Sequence, residues 1–440
     1  MIDVFTINAF VYIVTLCVIL YKYRKLNLYV AVWIFETAVA VMGVILVNLG
    51  WHYSGSKTLG LKVSPVPYIC LYISNMVMTY PLRKVKAESI DFRTFYNSVF
   101  IERLAYLSFV IFIPLCVLKG AEAYIMSNIG FGDAYMAAYE GESIFTYNNF
   151  ILKFLSTWGA TYCNLFAPVI ILYFVSKIAR KKGNLKINIL GVVVSFMPAI
   201  LGALARGSKG SLFFVAWDMM FFYIICAQLI SPKVKKGIVL SGAIVILLLL
   251  LGSTAIQSGR NDLRGGNTSV EEVFIRYLGE SMPNVGWEVY DKVKWHPNGR
   301  RFYPEFFGSE GDKSKLSHED WHYYWGAKIG VPVEKFHTFW GDSYMEFGLI
   351  NSLIYVFLIA LLWDKFVFKY SNNISWIPLV AFYYKFFIIW GVFGHGGFSG
   401  SRRHVLFIYL IIVCIIINTI NKKNVAKERK IKAKFSPISM

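Results

Sequence analysis

Eleven apolar runs, each close to the length that crosses a bilayer, divide this 440-residue chain, and the longest break among them is one polar stretch from Gln257 to Asp342. A spanning helix needs about 20 apolar residues. The runs fall near residues 4–22, 28–50, 66–82, 98–118, 151–176, 187–204, 211–230, 238–255, 343–363, 376–394 and 404–420. Apolar side chains make up 56% of the chain, more than a water-facing surface can accommodate. The expected fold is an all-α polytopic membrane protein with about 11 transmembrane helices and one large, partly helical loop. It divides into a helical block at 1–256, the loop at 257–342, a second helical block at 343–420 and a basic tail at 421–440. Lys22, Arg24 and Lys25 follow the first run without a small-residue cleavage site, so that run reads as a retained span.

A net charge of +19 would suggest nucleic acid in a soluble chain, but topology accounts for it here. With the N-terminus outside, the cytoplasmic connections and tail carry 24 of the 45 basic residues and only 4 acidic ones. That is the positive-inside pattern, with the C-terminus in the cytoplasm and no nucleic-acid partner. The long loop is then extracytoplasmic, with 11 basic and 13 acidic residues. All six cysteines fall within the runs, which leaves the loop no disulfide framework and no CxxC metal knuckle.

Some basic residues oppose that pattern at the outer edges. Arg206 and Lys209 sit between the sixth and seventh runs, Arg260, Arg264 and Arg276 follow the eighth, and Arg402 and Arg403 lie between the tenth and eleventh. Guanidinium is permanently charged and grips phosphate oxygens as a fork, so such a ring suits a lipid-linked phosphate or pyrophosphate. Glycines at 207, 210, 265, 266, 396, 397 and 400 would let backbone N–H groups approach the same anion. The alternative is that these arginines reach ordinary lipid headgroups. Within the runs, Glu36, Asp218 and Lys385 are costly unless paired. Lys385 is expected to neutralise one of the acids, as a structural ion pair or in proton transfer, with Tyr383 and Tyr384 joining the same network.

In the loop, Thr268 to Tyr290 predicts an amphipathic helix capped by Ser269, with Glu271 and Glu272 in its first turn and Phe274, Tyr277 and Leu278 on its apolar face. Residues 295–315 read as irregular. The segment His318-Glu319-Asp320-Trp321-His322 fits HExxH, in which two histidines one turn apart bind zinc and the glutamate activates water. Glu334 or His337 could supply a third ligand. A short polar helix capped by Ser317 explains the same residues without metal.

The stretch from His337 to Ile350, with Glu346, Gly348, Leu349 and Ile350 at the head of a membrane run, resembles the O-antigen polymerase (Wzy type) and O-antigen ligase family. Thr338 stands where that family has asparagine, and Asn351 where it has a later glycine. The turn Ala205-Arg206-Gly207 is similar to the family's Ser-Arg-Gly turn, with alanine for serine. The resemblance covers about thirty residues and the overall plan, and it rests on analogy. It implies a metal-independent glycosyltransferase of the GT-C type in the bacterial inner membrane, facing the periplasm and needing no cofactor. Such an enzyme polymerises undecaprenyl-pyrophosphate-linked oligosaccharides, with membrane lipids and a chain-length regulator as further partners. Arg206, with Lys209, Arg260, Arg264, Arg276, Arg402 or Arg403, would take the charge of the leaving pyrophosphate. His337 would accept the hydroxyl proton or hold the phosphate. Asp342 and Glu346, four apart, would share a helix face and orient His337 or act as the base. Competing expectations are the ligase, a lipid-linked oligosaccharide flippase, and a membrane zinc protease using His318 and His322.

Overall fold

Asparagine and aspartate at the mouths of apolar runs start several of the helices. The computed structural model describes residues 3–52, 54–92, 95, 97–129, 145–207, 209–232, 235–236, 269–307, 316, 318–333, 335–389, 391 and 401–434. Arg260, Arg264, Glu334, Ser317 and the eighth run lie outside the described residues, as do the side chains of Lys209, His318, Glu319, Arg402 and Arg403. The principal helices are α1 (Val4–Tyr23), α2 (Leu28–Asn48), α3 (Val66–Thr79), α4 (Val99–Ile129), α5 (Ala160–Ala179), α6 (Leu185–Ala205) and α7 (Lys209–Cys226). They are followed by α8 (Val270–Gly279), α9 (His318–Ile329), α10 (Phe339–Phe347), α11 (Leu349–Phe366), α12 (Ile377–Tyr383) and α13 (Ser401–Lys434). Asp3 caps α1 by accepting from Thr6 N, Asn27 caps α2 from Val30 N, and Asn184 caps α6 from Lys186 N.

Among the described residues there is no strand, and seven helices are long and apolar enough to cross a membrane, which fits a polytopic membrane protein. They are Val4–Tyr23, Leu28–Asn48, Val99–Ile129, Phe150–Ala179, Leu185–Ala205, Ser211–Leu229 and Leu349–Tyr370. The expected count of eleven is corrected accordingly, for local reasons. Pro81 diverts the third run into a 3₁₀ turn at Tyr80–Lys84, leaving α3 only 14 residues. The tenth and eleventh runs yield shorter apolar stretches, Ile374–Ile388 and Val405–Ile420. The ninth begins at Leu349 rather than 343, because Gly348 adopts φ +78° and separates α10 from α11.

The basic connections gather on one face. Lys25 pairs with Glu88 at 3.2 Å, Lys84 with Asp364 at 2.7 Å and Lys177 with Glu102 at 2.6 Å, while Gln228 Nε2 donates to Ala87 O. Exposed pairs of this kind contribute at most about 1 kcal/mol each, so they report which connections meet rather than what holds the bundle. Inside the bundle, Lys385 Nζ meets Asp218 Oδ2 at 2.5 Å beside a cavity of about 170 Å³ that Asn164 and Ser195 also line. Tyr383 instead donates to Met78 O, and Glu36 accepts from Asn75 Nδ2 at 2.8 Å. The expectation that Tyr383 serves the Lys385 network is corrected by that bond.

Candidate functional site at the loop face

Opposite the basic connections, α8 begins as its sequence dictates. Ser269 Oγ accepts from Glu272 N at 3.1 Å, and Glu271 and Glu272 occupy the first turn. Arg276 pairs with Glu272 at 2.7 Å along the helix. The helix crosses α2 through Gly279, where an added Cβ would lie 2.5 Å from the Met42 carbonyl carbon. Tyr277 stacks on Phe213 of α7 with centroids 5.4 Å apart and meets the ring of Phe336 edge-on at 5.1 Å. Phe213 lies about one turn into α7, whose first residue, Lys209, comes three positions after Arg206. Arg206 and His337 therefore belong to the same face of the bundle.

His337 is fully buried at the entry to α10. Thr338 caps that helix by accepting from Gly341 N at 3.2 Å. The backbone before His337 is held by a relay. Asn284 Nδ2 donates to Phe336 O at 3.0 Å, and Asn284 Oδ1 faces His52 Nε2 at 3.0 Å. An amide oxygen only accepts, so His52 carries its proton on Nε2, leaving Nδ1 to accept from Ser54 N at 3.2 Å. Burial pulls the His52 imidazole down to about 4, although the bond to Asn284 opposes the shift. From the other side, Gly391 comes so close to Phe339 that an added Cβ would lie 2.8 Å from the phenylalanine Cβ.

Asp342 and Glu346 share a face of α10, as their spacing predicts, and both turn to Arg301. Arg301 Nε donates to Glu346 Oε2 at 3.0 Å, and its Nη2 donates to Asp342 O at 3.0 Å, with Asp342 Oδ1 at 3.4 Å. Glu346 Oε1 also accepts from Gly299 N at 2.7 Å and Arg301 N at 3.1 Å. Asn298 and Gly299, with φ of +55° and +95°, curl the backbone around that carboxylate. The segment read as irregular is thus clamped to α10, and Glu346 is bound by Arg301 and by the backbone of Gly299. Burial works against the Arg301 charge, but Asp342 and then Glu346 outweigh it and hold the guanidinium above its ordinary value. Sequence reasoning missed Arg301, since nothing local distinguishes it from Arg300.

Arg206 follows α6 with its side chain exposed. Its guanidinium lies over Gly202, 3.7 and 3.9 Å from where a Cβ would stand, and Lys119 Cδ reaches the same point at 3.9 Å. Lys119 Nζ donates to Glu122 Oε1 and Oε2 at 2.9 and 2.8 Å, and Tyr147 Oη donates to Glu122 Oε1 at 2.7 Å.

Of the HExxH segment, α9 forms but runs through Gly326 and ends where Gly330 takes φ +89°. His322 is buried edge-on to Trp321. Among the described residues no group of three His, Cys, Asp or Glu side chains could hold a metal ion. No family model, curated protein or solved structure matches this chain.

Proposed function

We propose that the protein is a membrane glycosyltransferase that polymerises oligosaccharide units carried on undecaprenyl pyrophosphate, with its reacting groups on the loop face. The observation that carries this reading is the aromatic path Phe213–Tyr277–Phe336, which ties the Arg206 edge to the His337 edge on one face. In the reaction, a sugar hydroxyl on one lipid-linked unit attacks the anomeric carbon of another. The new glycosidic bond forms as the bond to the diphosphate oxygen breaks. His337 takes the hydroxyl proton, and Arg206 receives the charge that develops on the diphosphate.

Because His337 is enclosed, the reading requires the loop elements over it to part when the acceptor arrives, while their closed arrangement keeps water from the donor. The basic connections gathered on the opposite face support this sidedness, because the positive-inside rule favours the cytoplasm for them. A direct assay tests the reading: purified protein in liposomes is given lipid-linked repeat units, no nucleotide sugar, and chelator in half the samples. Elongated lipid-linked polymer in both sets is the expected result. Absence of any elongation, or elongation that chelator abolishes, contradicts it.

A further inference from the structure

We infer that Lys119, on α4, forms one side of a diphosphate seat of which Arg206, at the C-terminus of α6, forms the other. The inference rests on the lipid-diphosphate reading above and extends it to a residue outside both family-like segments. The two helices run parallel here. Cys116 Sγ lies 3.9 Å from Val194 O, an added Cβ at Gly120 would meet Leu201 at 3.8 Å, and Lys119 meets the Gly202 position. Their loop-face ends therefore arrive together, and two cationic side chains from different helices converge above one glycine.

The two cations are held differently, and the difference suits an anion. Glu122 accepts two bonds from Lys119 and a third from Tyr147, and it is itself 4% exposed. The carboxylate thus fixes the ammonium in place and neutralises it, which is why a lysine can sit with its side chain only 13% exposed within α4, just after its apolar stretch. An ammonium has three donors, and pairing with one carboxylate leaves a direction open. Arg206 adds a planar fork above Gly202, close enough for the Glu122 carboxylate to act on its charge as well. The cluster carries a net single positive charge from two cations and one anion. The ligand that fits is a tetrahedral oxyanion with several acceptor oxygens, taken bidentate by the guanidinium and by one bond from Lys119. Gly202 leaves room beneath the fork, since a β-branched residue there would project into the guanidinium.

The test measures binding to the full chain in phosphatidylcholine nanodiscs, with inorganic pyrophosphate in one arm and undecaprenyl diphosphate incorporated in the bilayer in the other. Lys119→Met keeps the aliphatic stem and should weaken binding about tenfold, the loss of one charge-assisted bond, while Lys119→Arg retains most of it. Tighter binding in the lipid arm assigns the seat to a lipid headgroup, and equal binding in both assigns it to the diphosphate group alone. A second measurement uses the unaltered protein: pyrophosphate should slow acetylation of Lys119, read by mass spectrometry. Wild-type affinity in Lys119→Met, or unprotected acetylation, overturns the inference. The two readings fail separately. If the unaltered protein elongates nothing yet Lys119→Met still binds pyrophosphate weakly, the seat stands and the polymerase reading falls. If elongation proceeds while Lys119→Met binds like wild type, the seat alone falls.

Discussion

Arg301 and Glu346 are bound to one another twice, through the Arg301 side chain at 3.0 Å and through its backbone amide at 3.1 Å, and both residues are buried. The pair fastens the 296–303 segment to the helix that follows His337. His296 adds a further tie by donating from Nδ1 to Met345 O at 3.1 Å.

Removing one partner of that cluster should be strongly destabilising, because the charges it leaves are buried. Arg301→Ala leaves Asp342 and Glu346 buried without a cation, a loss of about 3–5 kcal/mol. Thermal unfolding in detergent checks this. A loss below about 1 kcal/mol would show that the carboxylates find other partners.

Stability should fall in mild acid because of His52. Its folded pKa of about 4 lies below the ordinary value of about 6.5, so the unfolded chain binds more protons between those values. The contribution of the neutral imidazole is therefore complete above about pH 6.5 and is lost as pH drops toward 4, by about 3 kcal/mol. His52→Gln does not titrate and should flatten the melting temperature across that window. An unchanged pH profile would separate acid sensitivity from this residue.

The intramembrane pair is expected to behave as a unit. Asp218→Asn strands the Lys385 ammonium and should destabilise by about 3 kcal/mol or more, whereas Asp218→Lys combined with Lys385→Asp should recover much of the loss. Melting of the single and double variants decides the matter, with strictly additive losses as the contrary result.

Two glycines should respond oppositely to alanine. At Gly279 the new methyl would meet backbone of Met42 and Gly43 at 2.5 to 2.7 Å, where nothing flexible can yield, and a loss of about 1–3 kcal/mol follows. At Gly326, inside α9, the nearest atom is 3.4 Å away, so the helical preference of alanine should make the change neutral or stabilising by up to about 1 kcal/mol.

For function, Arg206→Ala and His337→Ala should leave the protein folded in the membrane while removing long polysaccharide, so that cells carry single repeat units. Loss of one such stabilising donor corresponds to about 2.7–4 kcal/mol, a hundredfold to thousandfold fall in rate. Normal chain-length ladders in both variants would discard these roles.

Much of the architecture is legible along the chain because membrane helices announce themselves locally. Apolar length gives the spans at Val4–Tyr23 and Leu28–Asn48, and capping chemistry gives the start of α8 at Ser269. Boundaries failed where one residue changed the backbone: Pro81 shortens the third run, and Gly348 moves the ninth. Those effects act over a single turn, which an average over a hydropathy window conceals.

The site was less legible. From the sequence alone follow the alternation of apolar runs with basic connections and the helical face shared by Asp342 and Glu346, both consequences of neighbours within a few residues. Only the tertiary structure decided that the two carboxylates answer to Arg301, that Asn284 joins His52 to Phe336, and that Lys119 meets Arg206 above Gly202. Each of those contacts spans tens to hundreds of residues. A buried charge is tolerated only where its counter-charge arrives, and the packing of helices, not the local pattern, determines where that is.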